Sequence, residues 1–253
     1  MTALKSIPAG WSPAERRARV ELAAAYRIAA LEGMDDGVFN HFSYALPGEE
    51  GRFLLKPFGP MFGEATASGL IKIDLEGRVI AGEGVWEPTA FHIHSRIHRA
   101  VPRARCVMHT HMPYATALTS LSEMGILPIN QSSMRFVRRF ATLDTYGGLA
   151  LDATEGDRIV DAFQEKDVLL MANHGVMVIG EDVARCLYDL HYVEIAARDQ
   201  WLAFAANRPL RFISDEVIDL AARQMVDERE MAAAAHLAAM MRRLDRENPG
   251  YDA

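Results

Sequence analysis

Two histidines separated by one residue end a short apolar segment in the middle of the chain. His109 and His111 close the run ARCVMHTH, which has the composition of a buried strand. Side chains two residues apart on a strand point to the same side, so two imidazoles placed in this way can bind one metal ion. Open α/β sheets also bind ligands beyond the carboxyl ends of their strands. An isolated His-x-His pair is nevertheless common, and two solvated or hydrogen-bonded rings explain it equally well.

A third histidine follows another apolar run some sixty residues later. His174 comes after DVLLMAN and before Gly175, and an apolar strand-like segment lies on either side. A polar turn between buried strands needs partners for its donors and acceptors. A metal ion or a hydrogen-bond network would supply them. Three histidines with one open coordination position are a usual catalytic zinc site, but the sequence leaves open whether His174 meets the other two.

The remaining histidines of the first half have more ordinary interpretations. His94 and His98 lie four residues apart on a predicted helix, where they could share a metal or pack against neighbours, and packing is favoured. His92 falls on another face of that helix and is expected to be exposed. His41 follows a glycine turn and could line a pocket, although a hydrogen bond to backbone is the favoured interpretation.

Composition excludes several classes of protein. The chain has 253 residues and a net charge of −7, so the basic face of a nucleic-acid-binding protein is not expected. There is no apolar run of signal-peptide length at the N-terminus and none of about 20 residues elsewhere, so no membrane span is expected. Cys106 and Cys186 lie in apolar runs and are predicted to be buried thiols rather than a disulfide. A cytoplasmic protein is the expectation.

The elements that must position these histidines alternate between strand and helix. We predict one domain over residues 1–253, with a loose arm over 1–11 and a helical C-terminal extension over 207–253. Ser12 is expected to cap the first helix, with Glu15 completing a capping box. The predicted strands are VFNHFSYAL, RFLLK, LIKIDL, RVIAG, ARCVMHTH and the two halves of DVLLMANHGVMVIG. Helices are predicted over TAFHIHSRIHRA, 112–120, 182–206 and 214–243, which favours a mixed sheet with helices on both faces.

Three stretches of the chain resemble one known family. The run TAFHIHSRIHRAVPRARCVMHTH, followed by LLMANHGVMVIG and preceded by MDDGVFNHFSYALPG, is similar to the metal-binding core of the class II aldolase/adducin family. The resemblance covers about residues 15–205, and the ending MRRLDRENPGYD is similar to tails of the adducin-like branch. It implies a three-layer α/β/α fold with a mostly antiparallel central sheet. It also implies a divalent metal, most often zinc with manganese or iron possible, on His109, His111 and His174, and a homo-oligomer, with a tetramer favoured.

The chain departs from the sugar-phosphate aldolases of that family at the stretch before the histidine pair. Those enzymes place two phosphate-binding serines and an acid/base glutamate where this chain has Pro88, Thr89 and Ala90. Alanine cannot transfer a proton, and proline has neither a hydroxyl nor an amide hydrogen with which to hold phosphate. A standard sugar-phosphate aldolase is therefore not expected.

Other residues are candidates for the missing proton transfer. Glu87 could replace the glutamate, although a solvated loop carboxylate is the favoured interpretation. Tyr114 and Tyr146 are candidates for the tyrosine that the resemblance implies, and either could simply pack. Arg135, Arg138 and Arg139 could bind an acidic substrate, but surface contacts are favoured for this arginine cluster.

The function expected from this reasoning is that of a divalent-metal-dependent lyase. It would catalyse aldol cleavage or decarboxylation of a small carbonyl or hydroxy-acid substrate, with the metal as a Lewis acid. One alternative is a non-haem iron oxygenase on the same fold, because three histidines also suit iron. The other is a non-catalytic adducin-like module.

Overall fold

The computed structural model describes residues 10–253 and is built around one sheet of eight strands. The strands are β1 (His41–Ala45), β2 (Arg52–Leu55), β3 (Ile71–Asp74), β4 (Val79–Ala81), β5 (Cys106–Thr110), β6 (Phe140–Leu143), β7 (Val168–Met171) and β8 (Gly175–Gly180). The helices are α1 (Pro13–Leu31), α2 (Pro88–Ala100), α3 (Pro113–Thr119), α4 (Ala153–Phe163), α5 (Val183–Ala205) and α6 (Asp215–Glu247). The predicted strands and helices are therefore present, with small changes at their ends.

The order of the strands places distant parts of the chain side by side. The sheet runs β4-β3-β2-β1-β5-β8-β7-β6, and only the β6–β7 pair is parallel. Strand β5 lies between β1 and β8, with His41 opposite His109 and Val176 opposite Thr110. The prediction of a mostly antiparallel central sheet is confirmed.

Helices cover both faces of the sheet, because alternate strand residues point to opposite sides. On β5, Met108 joins the core beneath α1, α3 and α5, whereas Val107 joins the core beneath α2 and α4. Both side chains are fully buried. This arrangement confirms the helices predicted on both faces and gives the three-layer α/β/α architecture that the family resemblance implied.

The start of α1 differs in part from the prediction. The Ser12 hydroxyl accepts a hydrogen bond from the Glu15 amide at 3.1 Å, as expected of a cap. The Glu15 side chain does not complete a capping box, because its two oxygens bind Arg19 at 2.9 Å and Lys72 at 2.8 Å. Attraction to these two cations, both in a buried setting, outweighs the local bond to a backbone amide.

The predicted loose arm over 1–11 lies largely outside the described residues. Within the described part, the Trp11 ring packs under the guanidinium of Arg19, at 4.4 Å from the ring centroid. Arg19 is itself buried and donates to the Leu70 carbonyl at 2.8 Å. Trp11 is therefore in contact with α1 rather than loose.

The C-terminal residues return to α1. Arg27 donates hydrogen bonds of 2.8 Å to the Asn248 side chain and to the Pro249 carbonyl, and the Tyr251 carbonyl accepts one of 2.8 Å from Ala67. Helix α6, which carries this tail, ends four residues later than predicted and packs along α5. Although α6 has 33 residues, no helix in the part of the chain described here is both long and apolar enough to cross a bilayer.

Candidate metal centre

Three histidines from separate elements meet at one end of the sheet. His109 is on β5, His111 follows it directly, and His174 lies in the turn between β7 and β8. The Nε2 atoms of His109 and His111 are 3.1 Å apart, and the His174 ring centroid lies 4.7 Å and 5.1 Å from theirs. One nitrogen from each ring falls within 4.8 Å of the other two. Because β5 pairs with β8, His174 lies beside His109 and His111 although it is far from them in the sequence.

The turn that carries His174 requires its two flanking residues. Asn173 has a left-handed backbone (φ 56°), which asparagine tolerates better than most residues, and its amide donates to the Thr119 carbonyl at 2.9 Å. At Gly175 a Cβ would lie 2.6 Å from the Thr110 carbonyl oxygen. Strand β8 can therefore approach β5 this closely only because residue 175 has no side chain.

Hydrogen bonds from Nδ1 of His109 and of His111 determine which of their ring nitrogens can bind a metal ion. His109 Nδ1 lies 2.9 Å from the Val176 carbonyl, and His111 Nδ1 lies 3.0 Å from the Asp36 carboxylate. Both partners only accept, so each Nδ1 carries a proton, and in neutral rings each Nε2 then presents a lone pair. Two lone pairs facing each other across 3.1 Å repel unless a cation lies between them.

The donor set fits a divalent ion on chemical grounds. Two nitrogens bound tetrahedrally to zinc, each at about 2.0–2.1 Å, lie about 3.4 Å apart, close to the separation seen between His109 and His111. Metal-binding histidines also donate their other N–H to a carboxylate or a carbonyl, as these two do. Burial lowers the pKa of His109 well below its ordinary value, and burial, with His111 nearby, lowers that of His174 to about 4. These two rings are therefore neutral at pH 7, the form that binds metal.

A cavity of about 290 Å³ lies beside the three histidines. Its wall combines a few polar groups with an apolar surface, as is usual for small-molecule sites. Apart from the three histidines, the lining residues are Asp36, Phe39, Asn40, His41, Glu87, Thr89, Ile93, Tyr146, Gly148, Leu149, Ala150, Leu151 and Glu155. No lysine or arginine from residues 10–253 is among them.

Glu87 lies in this wall and also begins α2. Its Oε2 atom accepts hydrogen bonds from the Ala90 amide at 2.8 Å and from the Thr89 hydroxyl. The favoured interpretation of Glu87 as a solvated loop carboxylate was therefore wrong, because the unpaired amides at the start of a helix attract a carboxylate. Glu87 Oε1 makes no hydrogen bond within the described residues.

The two candidate tyrosines lie in different places, and one of them lines the cavity. The Tyr146 ring lines the cavity with its centroid 6.0 Å from that of His174, and half of the residue is exposed. Tyr114 is on α3 and is not part of the cavity wall. Its amide donates to Glu194 at 2.9 Å and its carbonyl accepts from Trp201 at 3.2 Å. Of the two, only Tyr146 reaches the pocket of its own chain.

The arginine cluster is directed away from the cavity. Arg135 stacks on the Tyr192 ring at 4.3 Å, Arg138 pairs with Asp219 at 2.9 Å, and Arg139 pairs with Asp189 at 2.5 Å. These contacts join the loop before β6 to α5 and α6. The surface contact that the sequence favoured is seen for Arg138, which is exposed. It was wrong for Arg139, whose largely buried guanidinium pairs with the fully buried Asp189, because a carboxylate in the interior needs a cationic partner.

His41, His94 and His98 form a largely buried hydrogen-bond chain with Ser43. His94 and His98 both contact the Ser43 hydroxyl, at 2.5 Å and 2.7 Å, so the packing interpretation holds for them. The backbone bond favoured for the His41 side chain is not found within residues 10–253, and its Nδ1 lies instead 2.6 Å from His94 Nε2. The backbone of β1 is already paired with β5, which leaves the His41 side chain to bind across to α2. His92 is partly buried rather than exposed.

Sequence reasoning did not identify Asp36 or Asn40 as part of the site. The Asp36 carboxylate orients the His111 ring by accepting from its Nδ1, and the Asn40 side-chain oxygen accepts from the His111 amide at 3.2 Å. The only local signal was the glycine turn at Gly37, which marks a loop but not the strand it will lie beside.

Comparison with known proteins agrees with this architecture. The family model of the Class II Aldolase and Adducin N-terminal domain matches residues 20–201. A Caulobacter vibrioides protein, named only at family level as an aldolase class 2 protein, is 39% identical over 95% of this chain and 93% of its own length. The crystal structure of an aldolase II superfamily protein from Pseudomonas syringae superposes with a TM-score of 0.90, at 36% identity, over 96% of this chain and 98% of that one.

A further solved structure is that of an L-fuculose 1-phosphate aldolase from Glaciozyma antarctica. It has a TM-score of 0.82 and 26% identity, and the match covers 96% of each chain. The likeness therefore extends over nearly the whole of both chains. The family model spans most of the chain, and the Caulobacter vibrioides relative is 39% identical over 95% of it. The chain therefore belongs to the class II aldolase and adducin family.

Proposed function

We propose that this protein is a divalent-metal-dependent lyase that acts on a small carbonyl or hydroxy-acid compound without a phosphate group. The observation that carries the proposal is the convergence of His109, His111 and His174 beside a cavity of small-molecule size. These three residues would hold the ion, zinc in the first place, with manganese or iron as alternatives. A bound ion would supply a Lewis acid that polarises a substrate oxygen.

The residues that line the cavity favour a substrate without a phosphate group. A phosphate carries nearly two negative charges and is usually bound by lysine, arginine or a set of backbone amides. Here the wall has three carboxylates, on Asp36, Glu87 and Glu155, and no cationic side chain from the described residues. Pro88, at the start of α2, has no amide hydrogen to offer an anion.

The type of reaction is inferred from the groups that can move protons. Ala90 is buried and carries no such group. Glu87 and Tyr146 remain as proposed catalytic residues, because both line the cavity and one oxygen of Glu87 accepts no hydrogen bond from residues 10–253. Decarboxylation needs less acid and base catalysis from the protein than aldol cleavage does, so it is the favoured reaction, with aldol cleavage second.

Two other functions remain as alternatives. A three-histidine site leaves coordination positions open and suits iron as well as zinc, which is the basis for a non-haem iron oxygenase. The family also includes the N-terminal domain of adducin, so a non-catalytic module is the third. The buried, neutral histidines favour an enzyme, because a module that only binds other proteins has no need of a costly polar pocket.

We further propose a homo-oligomer, with a tetramer favoured, in the cytoplasm. The rim of the cavity exposes Phe39, Leu149 and Leu151 by 54%, 71% and 64%, which supports contact with another copy of the chain. Cys106 and Cys186 are both buried and unpaired, which suits a reducing compartment. Light scattering coupled to size-exclusion chromatography measures the oligomeric state directly.

The metal content of the purified protein is the decisive measurement. We expect one zinc or manganese ion per chain, retained in His92→Gln and lost in His174→Ala. The metal-loaded protein should release carbon dioxide or an aldehyde from members of a panel of 2-oxo and hydroxy acids, without consuming oxygen. Bound iron with oxygen uptake would support the oxygenase. A wild-type protein that retains no metal after reloading would exclude both enzymes.

A further inference from the structure

Four polar side chains form a continuous hydrogen-bond chain that leads from the cavity into the protein. His41 Nδ1 lies 2.6 Å from His94 Nε2, and His94 Nδ1 lies 2.5 Å from the Ser43 hydroxyl. That hydroxyl lies 2.7 Å from His98 Nε2, and His98 Nδ1 lies 3.0 Å from the Ala104 carbonyl. His94 and Ser43 are buried, and His41 is 8% exposed.

The donor and the acceptor of each hydrogen bond in this series can be assigned by starting from the Ala104 carbonyl. The Ala104 carbonyl only accepts, so His98 Nδ1 carries a proton and, in a neutral ring, His98 Nε2 carries none. Ser43 must then donate its one hydroxyl hydrogen to His98 and accept from His94 Nδ1. By the same logic His94 Nε2 is bare and accepts from His41 Nδ1.

The surroundings of the three rings favour their neutral form. The three rings hydrogen-bond to one another, to Ser43 and to the Ala104 carbonyl, with no carboxylate among these partners. Burial lowers the pKa of His98 to about 4 and lowers the pKa of His94 well below its ordinary value.

The consequence is found at the outer end of the chain. His41 Nε2 is left with a lone pair and has no hydrogen-bond partner within residues 10–253. The His41 residue lines the cavity, and its ring centroid is 4.9 Å from that of His109. An acceptor in this position favours a ligand that brings a donor, because a ligand without one would shield the nitrogen from water and leave it without a partner.

We propose that His41 is a substrate-binding residue whose Nε2 accepts a hydrogen bond from a hydroxyl group of the substrate, and that Ser43, His94 and His98 are positioning residues that hold His41 in this tautomer. The proposal rests on the proposed function for the identity of the pocket as a substrate site. It narrows the substrate class to hydroxylated compounds, since a site built to bind a hydroxyl rejects the analogue that lacks it.

Two substitutions at His41 test the roles of its two ring nitrogens separately. In His41→Asn the side-chain amide stands near the position of Nδ1, so it can still donate to His94 but offers nothing at the Nε2 position. In His41→Gln the amide reaches the Nε2 position and its oxygen can accept from a ligand, although the inner bond is weakened. Ser43→Ala leaves His41 intact and interrupts the chain that orients it.

The tautomers can be measured without substrate or metal. Imidazole ¹⁵N chemical shifts of the metal-free protein at neutral pH distinguish a protonated nitrogen from a bare one. We expect protonated Nδ1 and bare Nε2 for His41, His94 and His98, and a mixture of tautomers for His41 in Ser43→Ala. A wild-type His41 protonated on Nε2, or an unchanged His41 in Ser43→Ala, would overturn the proposal.

Binding of two small acids tests the role of the acceptor. Lactate and propionate have the same carbon skeleton and differ by one hydroxyl. We expect the wild-type protein to bind lactate about tenfold more tightly than propionate both with and without zinc, which corresponds to one hydrogen bond. The preference should disappear in His41→Asn and return in part in His41→Gln.

The outcomes separate this proposal from the proposed function. If the wild-type protein shows no preference for lactate, or if His41→Asn keeps the preference, the role of His41 is wrong whether or not zinc is bound. If the protein fails to retain zinc while the preference and the tautomers are as expected, the metal-dependent function is wrong and the role of His41 stands.

Discussion

Asp36 accepts a hydrogen bond of 3.0 Å from Nδ1 of His111, a residue 75 positions later in the chain. The carboxylate holds the ring so that Nε2 faces His109. Asp36→Ala removes this support, and we expect metal affinity to fall about 10–100-fold, as is typical for the loss of such a partner. Competition with a chromophoric chelator measures the change. Asp35→Ala, at the neighbouring position, is the matched control, and equal affinities in the two variants would show that Asp36 does not orient His111.

Gly175→Ala tests the close approach of β8 to β5. The added Cβ would lie 2.6 Å from the Thr110 carbonyl oxygen and 3.0 Å from His111 Cδ2. Backbone must move to relieve the first contact, so we expect a loss of about 1–3 kcal/mol in the free energy of unfolding, together with weaker metal binding. Gly63→Ala is the control, because a Cβ there meets only ordinary contacts at 3.9 Å. Similar urea midpoints for the two variants would contradict the steric argument.

Acidification should destabilise the protein through His98. Burial lowers its pKa from 6.5 to about 4, so between these pH values the unfolded chain binds more protons than the folded protein. The free energy of unfolding therefore decreases as pH falls through this window, by at most about 3 kcal/mol from His98, since one pKa unit corresponds to about 1.4 kcal/mol. His98→Asn removes this contribution and should show a smaller loss in urea unfolding between neutral pH and the acid end. An identical loss in both proteins would contradict the prediction.

Asp189→Ala should be among the most destabilising substitutions in the chain. The Asp189 side chain is fully buried and pairs with both Arg139 and Arg229. Its removal leaves two largely buried guanidinium groups short of a partner, which typically costs about 3–5 kcal/mol. Asp219→Ala breaks an ion pair with Arg138 in which both side chains are more than half exposed, and it should cost less than about 1 kcal/mol. Urea unfolding compares the two, and equal costs would argue against a buried network.

Glu87 can be tested separately as a helix cap and as a proton-transfer group. Glu87→Gln keeps an oxygen that can accept from the Ala90 amide, whereas Glu87→Ala does not. We expect Glu87→Ala to lose about 1 kcal/mol of stability and Glu87→Gln to lose less. If Glu87 transfers protons, turnover should fall about 10²–10⁴-fold in both. Full turnover in Glu87→Gln would leave the cap as its only role.

The sequence alone was sufficient to locate most elements of the fold. Strand β5 and the segments on either side of His174 were predicted because continuous apolar runs and turn residues are local signals. The clustering of His109 with His111 also followed locally, from the alternation of side chains along a strand. The polar turn at Asn173 and Gly175 could be recognised for the same reason, and the structure shows the backbone conformation and close approach that these residues permit.

The partners of these residues were decided only by the tertiary structure. Asp36 meets His111, and His41 meets His94, because β1 pairs with β5 and α2 packs across them, and no local pattern encodes which strands become neighbours. The same holds for Tyr114, which follows the histidine pair directly yet lies outside the cavity because α3 turns away to pack on α5. Side-chain direction repeats along one strand and can be predicted, whereas contacts between strands depend on register across the whole sheet.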